Sequence, residues 1–291
     1  MRWLVTGAGG MLGRDVVEEL RGRDEEVIGL DRAALDITRP GAVEDAFAEH
    51  RPDIVVNCAA YTAVDDAETD EERALAINGD GPRLLARAAA GQRARLVHVS
   101  TDYVFSGEAR TTPYPEEHEP APRTAYGRTK LAGERAVLRE LPGAGVVLRT
   151  AWLYGVHGRS FVRTMTELEA RRDTVDVVDD QRGQPTWSAD VAERVADLGP
   201  RIGRDASGIL HATNSGETTW YDLAREVFRL LGADPDRVRP VGSAAFVRPA
   251  PRPAYSALAH GRWQHLGLPP LRDWRSALPE ALPRIRKESP A

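Results

Sequence analysis

Thr101, Tyr126 and Lys130 are the residues whose types and spacing best suit a reaction. Tyr126 and Lys130 are four apart, so a helix presents both from one face. A ketone that accepts hydride develops negative charge on its oxygen, and a phenol can give that oxygen a proton. The phenol ordinarily titrates near pH ~10 and needs a neighbouring cation to ionise at neutral pH. Lys130, one turn along, supplies a charge that lowers the phenol pKa, and its ammonium can also bind the ribose hydroxyls of a nicotinamide cofactor. Thr101 can hydrogen-bond the carbonyl oxygen as a small oxyanion site. All but two of the 39 basic residues are arginine, the exceptions being Lys130 and Lys287. A lysine inside such a chain points to a compact ammonium that guanidinium cannot replace.

A tyrosine–lysine pair at this spacing is common on helices, and its weight comes from what precedes it. Residues 2–20, RWLVTGAGGMLGRDVVEEL, read as a strand, a glycine turn and a helix. A G-x-G-x-x-G register from Gly7 fails at Leu12, whereas G-x-x-G-x-x-G fits at Gly7, Gly10 and Gly13. Such glycines make the tight turn, let backbone approach a pyrophosphate, and allow close helix–strand packing. The helix that follows, 11–21, directs free N–H groups at that pyrophosphate. Asp31 stands about 20 residues past the loop, where an acid accepts hydrogen bonds from the adenosine ribose. Arg32 beside it suits the 2′-phosphate of NADP, so NADH and NADPH both remain open.

Positioning these groups requires a repeated strand–helix rhythm. Apolar runs at 2–6, 26–30, 53–57, 95–99 and 145–149 read as strands, with helices at 11–21, 40–50, 70–91 and from Tyr126 through the segment ending at Pro142. Thr124 is placed to cap the last of these. The pattern predicts an α/β fold, a Rossmann-like doubly wound parallel sheet with helices on both faces. Gly7, Asp31, Ala59 and Thr101 then emerge together at the carboxyl edge of the strands, where ligands bind. Residues 1–155 form the expected cofactor domain. Residues 156–291 form a smaller substrate-binding lobe, parts of which return to the main sheet, with helices near 160–171, 189–198, 219–231 and 272–287 and strands near 175–178 and 208–211.

The chain has 291 residues, a net charge of -5 with interleaved signs, and no apolar run of membrane-spanning length, which gives no reason to invoke nucleic acid or a membrane. No signal peptide is visible, and a cytoplasmic location is expected. The single cysteine, Cys58, excludes an internal disulfide and reads as a buried small side chain.

The blocks WLVTGAGGMLG, LDRAALDIT, NCAAYTAVDDAE, STDYVFSG, YGRTKLAGE, RTAWLYG and DDQRGQPT, in this order, resemble the dTDP-4-dehydrorhamnose reductase group of the extended short-chain dehydrogenase/reductases over nearly the whole chain. The resemblance implies cofactor contacts at Gly10, Met11, Leu12, Asp31, Asp36, Ile37, Ala60, Tyr61 and Thr62, and substrate contacts at Thr101, Asp102 and Trp152. It makes Tyr126 the proton donor and Lys130 its partner, with Trp152 a flat wall against a deoxysugar. The implied reaction reduces the C4 ketone of dTDP-6-deoxy-L-lyxo-4-hexulose to dTDP-L-rhamnose with NADPH or NADH. A homodimer, and a magnesium ion (Mg2+) at a dimer contact, are compatible with the resemblance; the ligands of the ion are unknown. AINGDG at 76–81 departs from the group's usual VNA or VNV. Arg182 and the segment 252–256 are candidates for the thymidine diphosphate. The competing readings are a 4-ketoreductase for another dTDP-deoxysugar, such as a dihydrostreptose synthase, and a non-catalytic NADP-binding regulatory subunit.

Overall fold

Strand β1 (Arg2–Thr6) buries Trp3 and Val5 in one apolar cluster and Leu4 in another, as alternation along a strand between two helical layers requires. A computed structural model describes residues 1–287 of the chain. After β1 come α1 (Met11–Gly22), β2 (Glu26–Leu30), α2 (Pro40–His50), β3 (Ile54–Asn57), α3 (Glu71–Leu75), α4 (Gly81–Gln92), β4 (Arg95–Thr101), α5 (Ala125–Glu140) and β5 (Gly145–Thr150). The second half adds β6 (Leu153–Tyr154), α6 (Phe161–Glu169), β7 (Val175–Val178), β8 (Arg182–Gly183), β9 (Thr186–Trp187), α7 (Ser188–Leu198) and β10 (Gly208–His211). It closes with β11 (Thr218–Thr219), α8 (Trp220–Leu230), β12 (Val238–Val241), α9 (Gly261–His265) and α10 (Trp274–Lys287).

Six strands form one sheet in the order β10-β5-β4-β3-β1-β2, every pair parallel. Helices α1 and α7 cover one face through Leu12, Val16, Leu20, Val191 and Val195. On the other face α2, α4 and α5 bring Val43, Phe47, Leu85, Ala89 and Val137. Each fully buried Val, Leu or Phe contributes roughly 1.5–3 kcal/mol of transfer free energy, so both layers are strongly held. This is a Rossmann-like doubly wound sheet, and the order reverses beside β1, between β2 and β3. The later chain supplies β10, the edge strand beside β5. A separate core, with Met165, Val177, Leu223, Phe228, Leu278 and Ile285, lies among α6, α8, α10 and the parallel pair β7–β12.

Three local differences from the sequence pattern have physical causes. The stretch 70–91 is divided, with a π-helical turn at Ala76–Asp80 between α3 and α4. A Cβ on Gly79 would lie 2.8 Å from Leu75 Cδ1 and one on Gly81 2.6 Å from Ile37 Cδ1, so these glycines admit close packing there. The wide turn carries Asn78 into the interior, where it bonds the backbone of Tyr61 on both sides (2.8 and 3.1 Å) and the Thr129 hydroxyl (3.1 Å). Strand β4 runs on to Thr101 because Ser100 and Thr101 continue to pair with Arg149 and Thr150. Helix α9 is too short to show a period, and it is anchored by Trp263, whose indole N–H donates to the His211 carbonyl at 2.6 Å. Among the described residues no helix is long and apolar enough to cross a membrane.

Candidate active site

Strand β4 ends at Thr101 and turns at once into a short 3-10 segment, Asp102–Val104, whose Tyr103 N–H donates to Thr101 Oγ1 at 3.2 Å. Helix α5 starts against that turn. Thr124 caps it by accepting the Gly127 N–H at 3.0 Å, and Glu68 accepts the Ala125 N–H at 2.9 Å. The approach is close: a Cβ on Gly127 would stand 2.2 Å from the Tyr103 carbonyl oxygen. The helix start is thereby held beside the strand end, and Thr101, Asp102, Tyr126 and Lys130 all line one cavity of about 1310 Å³. The Thr101 hydroxyl donates to Asp102 Oδ1 at 2.9 Å, and the Lys130 ammonium donates to the Val99 carbonyl at 2.7 Å.

Burial dominates the electrostatics of these groups. It raises the Tyr126 phenol above its usual range; the negative charge of Asp102 adds to this, and a hydrogen bond with Thr101 opposes it. It brings the Lys130 ammonium down to about 8, against the opposing influence of Glu134 and Cys58. It pushes the Asp102 carboxyl up to about 6, against hydrogen bonds from Ser256 and Thr101. The lowered phenol expected from Lys130 is therefore not what the protein alone produces, because burial disfavours the phenolate and the Asp102 charge adds to that cost. For ketone reduction the raised phenol is the useful state, since the donor must carry its proton when the oxyanion forms.

Asp102 also yields a stability prediction. Its folded pKa, about 6, lies above the ordinary 3.8. Folding thus favours the neutral acid, and stability is lost as pH rises between those two values. At about 1.4 kcal/mol per pKa unit the ionised carboxylate costs roughly 3 kcal/mol above pH ~6. Asp102→Asn keeps an oxygen to accept from Thr101 and carries no charge. Its melting temperature should exceed that of the parent by several degrees at pH ~8, and the difference should vanish near pH ~4. Thermal melts across that range test this, and a gap independent of pH would refute it.

The cofactor end of the cavity is built from the glycine turn. Gly7 has φ +67°, and a Cβ there would lie 2.6 Å from the Ala59 nitrogen; one on Gly13 would lie 2.2 Å from the Gly7 carbonyl oxygen. Gly10 is the N-cap of α1 and has no capping side chain, so the first N–H groups of the helix at Met11, Leu12 and Gly13 are left for a ligand. These residues line the cavity with Asp31, Arg32, Asp36, Ile37, Ala59, Ala60 and Thr62. The donor set fits a dinucleotide pyrophosphate and ribose. Asp31 also closes a turn, accepting the Ala33 and Ala34 N–H groups at 2.9 and 3.0 Å through Oδ1. Tyr61 does not join the lining: Asn78 pins its backbone, and its ring faces the Arg73 guanidinium at 5.9 Å.

At the opposite end Trp152 adopts φ +49°, a left-handed conformation that costs a non-glycine residue about 1–3 kcal/mol. Its indole stacks on Trp220 at 3.5 Å and 8°, and a Cβ on Gly183 would come within 2.5 Å of its Cε2. The wall expected from Trp152 alone is a pair. Trp220 and Phe161 both line the cavity, yet in the sequence they appear only as the first residues of helical runs following Thr219 and Ser160. Arg252 lines the cavity and is bound by Asp65 at 2.9 and 2.7 Å, whereas Arg182 does not line it. Among the described residues one group could hold a cation: Asp15, Glu18 and His157, with His157 Nε2 3.7 Å from Asp15 and 3.3 Å from Glu18. None of the three lines the reaction cavity.

The glycine turn and the buried Tyr126 phenol share one cavity, as they would where hydride and proton are bound for the same carbonyl. That working arrangement, on this fold, is the one that defines the short-chain dehydrogenase/reductases.

Comparison with known proteins narrows the class. Residues 1–287 match the family described as the RmlD substrate binding domain, and the chain belongs to that family. It is 65% identical to the probable dTDP-4,6-dihydroxy-2-methyloxan-3-one 4-ketoreductase of Streptomyces antibioticus, over 98% of this chain and 96% of that protein. It is 57% identical to the dTDP-4-dehydrorhamnose reductase of Streptomyces griseus, over 98% of this chain and 94% of that protein. The crystal structure of dTDP-4-dehydrorhamnose reductase from Bacillus anthracis, in complex with NADP, superimposes with a TM-score of 0.90 at 38% identity, covering 99% of each chain.

Proposed function

We propose that this protein reduces the C4 ketone of dTDP-4-dehydro-L-rhamnose (dTDP-6-deoxy-L-lyxo-4-hexulose) to dTDP-L-rhamnose. The observation that carries the reading is the convergence of buried Thr101, Tyr126 and Lys130 on the cavity that also holds the glycine cradle. Bound NADPH or NADH supplies the hydride to C4. The Tyr126 phenol, kept protonated by burial, gives its proton to the C4 oxygen, so that one C–H and one O–H bond form as the carbonyl π bond breaks. The Thr101 hydroxyl, turning from Asp102 to the substrate, hydrogen-bonds that oxygen and orients it toward the phenol. Lys130 holds the ribose of the cofactor and offsets the phenolate left behind. The Trp152–Trp220 pair excludes water from the deoxysugar side.

The 65% identical relative, whose name specifies a different 4-keto sugar, favours a second reading: C4 reduction of another dTDP-deoxysugar by the same relay. Both are tested by following nicotinamide absorbance as purified protein meets dTDP-4-dehydro-L-rhamnose or dTDP-4-keto-6-deoxy-D-glucose, with NADPH and NADH in separate runs. Fast oxidation yielding dTDP-L-rhamnose supports the first reading, and preference for another 4-keto sugar supports the second. Cofactor binding without oxidation of any 4-keto sugar nucleotide refutes both. Repeating the assay with EDTA and with added magnesium decides whether the cation takes part.

A further inference from the structure

Lys130 is almost entirely buried, and its ammonium bonds one backbone carbonyl. An ammonium in that setting loses its proton easily unless a negative charge lies near. Tyr126, on the same helix, is a raised and therefore neutral phenol. Cys58, after β3, is a thiol pushed up to about 12 by burial, hence neutral. His98 on β4 is held well below its usual value and is neutral. Arg149 on β5 is a cation. Glu134, one turn beyond Lys130 on α5, supplies the negative charge that acts on the ammonium.

Glu134 is itself buried, and its carboxylate is fully engaged. Oε1 accepts the Ser100 hydroxyl at 2.5 Å and Arg149 Nε at 2.9 Å; Oε2 accepts Arg149 Nη2 at 2.7 Å. Ser100 directly precedes Thr101, and Arg149 stands opposite Ser100 on β5, three residues before Trp152. One carboxylate thus ties the helix of Tyr126 and Lys130 to the strand ends that carry Thr101 and Trp152. A buried ion pair adds little net stability over apolar side chains of similar volume, so stability alone does not explain the arrangement.

We propose that Glu134 is a positioning residue for the reduction, serving as charge partner to the Lys130 ammonium and as the clamp that aligns α5 with β4 and β5. The proposal rests on the reductase reading, but its first test does not. Because Lys130 and Lys287 are the only lysines, protein grown with 13Cε-lysine shows two signals, and a Lys287→Arg variant assigns them.

In the parent the Lys130 signal should titrate near 8. In Glu134→Gln it should titrate about one pH unit or more lower. Glu134→Leu/Arg149→Met removes both charges and leaves no unpaired arginine in the core, so it folds if Glu134→Gln does not, and it should show a smaller shift in the same direction because a cation leaves with the carboxylate. The alkaline limb of kcat should move to lower pH in step, with NADPH binding at pH ~5.5 within threefold of the parent, since Lys130 remains charged there in every variant. A Lys130 titration unchanged in a folded variant overturns the proposal, whatever the activity. A shifted titration in an enzyme that turns over no 4-keto sugar would instead count against the reductase reading.

Discussion

Tyr126→Phe is expected to lower kcat for 4-keto reduction by about 10²–10⁴-fold, the range a positioned proton donor contributes, while the Kd for NADPH changes by less than about twofold. The reasoning is local. The Tyr126 ring packs edge-on against Tyr103 at 5.7 Å, a contact that phenylalanine preserves. The helix start is held by Thr124 and Glu68, neither of which touches the phenolic oxygen. What disappears is the phenolic O–H, with its transferable proton and its hydrogen bond to Thr101. Single-turnover oxidation of NADPH, with cofactor binding followed by fluorescence, separates the two quantities. A variant retaining more than about a tenth of parental kcat would mean that another group, or water, donates the proton.

Lys130→Arg is expected to be nearly as damaging, with kcat/KM down by about 100-fold or more. The ammonium sits in a closed space and donates to the Val99 carbonyl at 2.7 Å. A guanidinium is larger and planar, and fitting it there overpacks the core by about 1–3 kcal/mol. It would also displace the charge from the ribose of the cofactor and from the phenolate. Unlike Tyr126→Phe, this change should weaken NADPH binding too, by about tenfold. Kinetics and binding measured side by side check both effects. Activity within threefold of the parent would refute the argument that this arginine-rich chain keeps a lysine here for its chemistry.

The contrast between these two side chains shows how far composition carries. Spacing alone put Tyr126 and Lys130 on one helix face, because a helix places residues four apart together whatever surrounds it. It could not set the phenol's pKa, because desolvation depends on every element packed above the ring. The expected downward shift became an upward one once α5 was pressed against the turn at Asp102–Val104. Asp31 shows the same limit on a smaller scale. Its place after β2 was legible, while the turn it closes with Ala33 and Ala34 was not.

The alternation of strands and helices, the glycine turn at Gly7, Gly10 and Gly13, and the shared helix face of Tyr126 and Lys130 were legible in the chain itself. Each is encoded by near neighbours: apolar runs, positions that exclude a Cβ, and helical spacing. The stacking of Trp220 on Trp152, the inward turn of Asn78, the return of β10 to the sheet edge and the tie from Glu134 to Ser100 and Arg149 came from long-range packing. Those contacts join residues 15 to 68 positions apart, and no local pattern records which distant side chain will meet which. They arise because parallel strands bring separate chain segments side by side, and burial then requires every charged or polar group trapped there to find its partner.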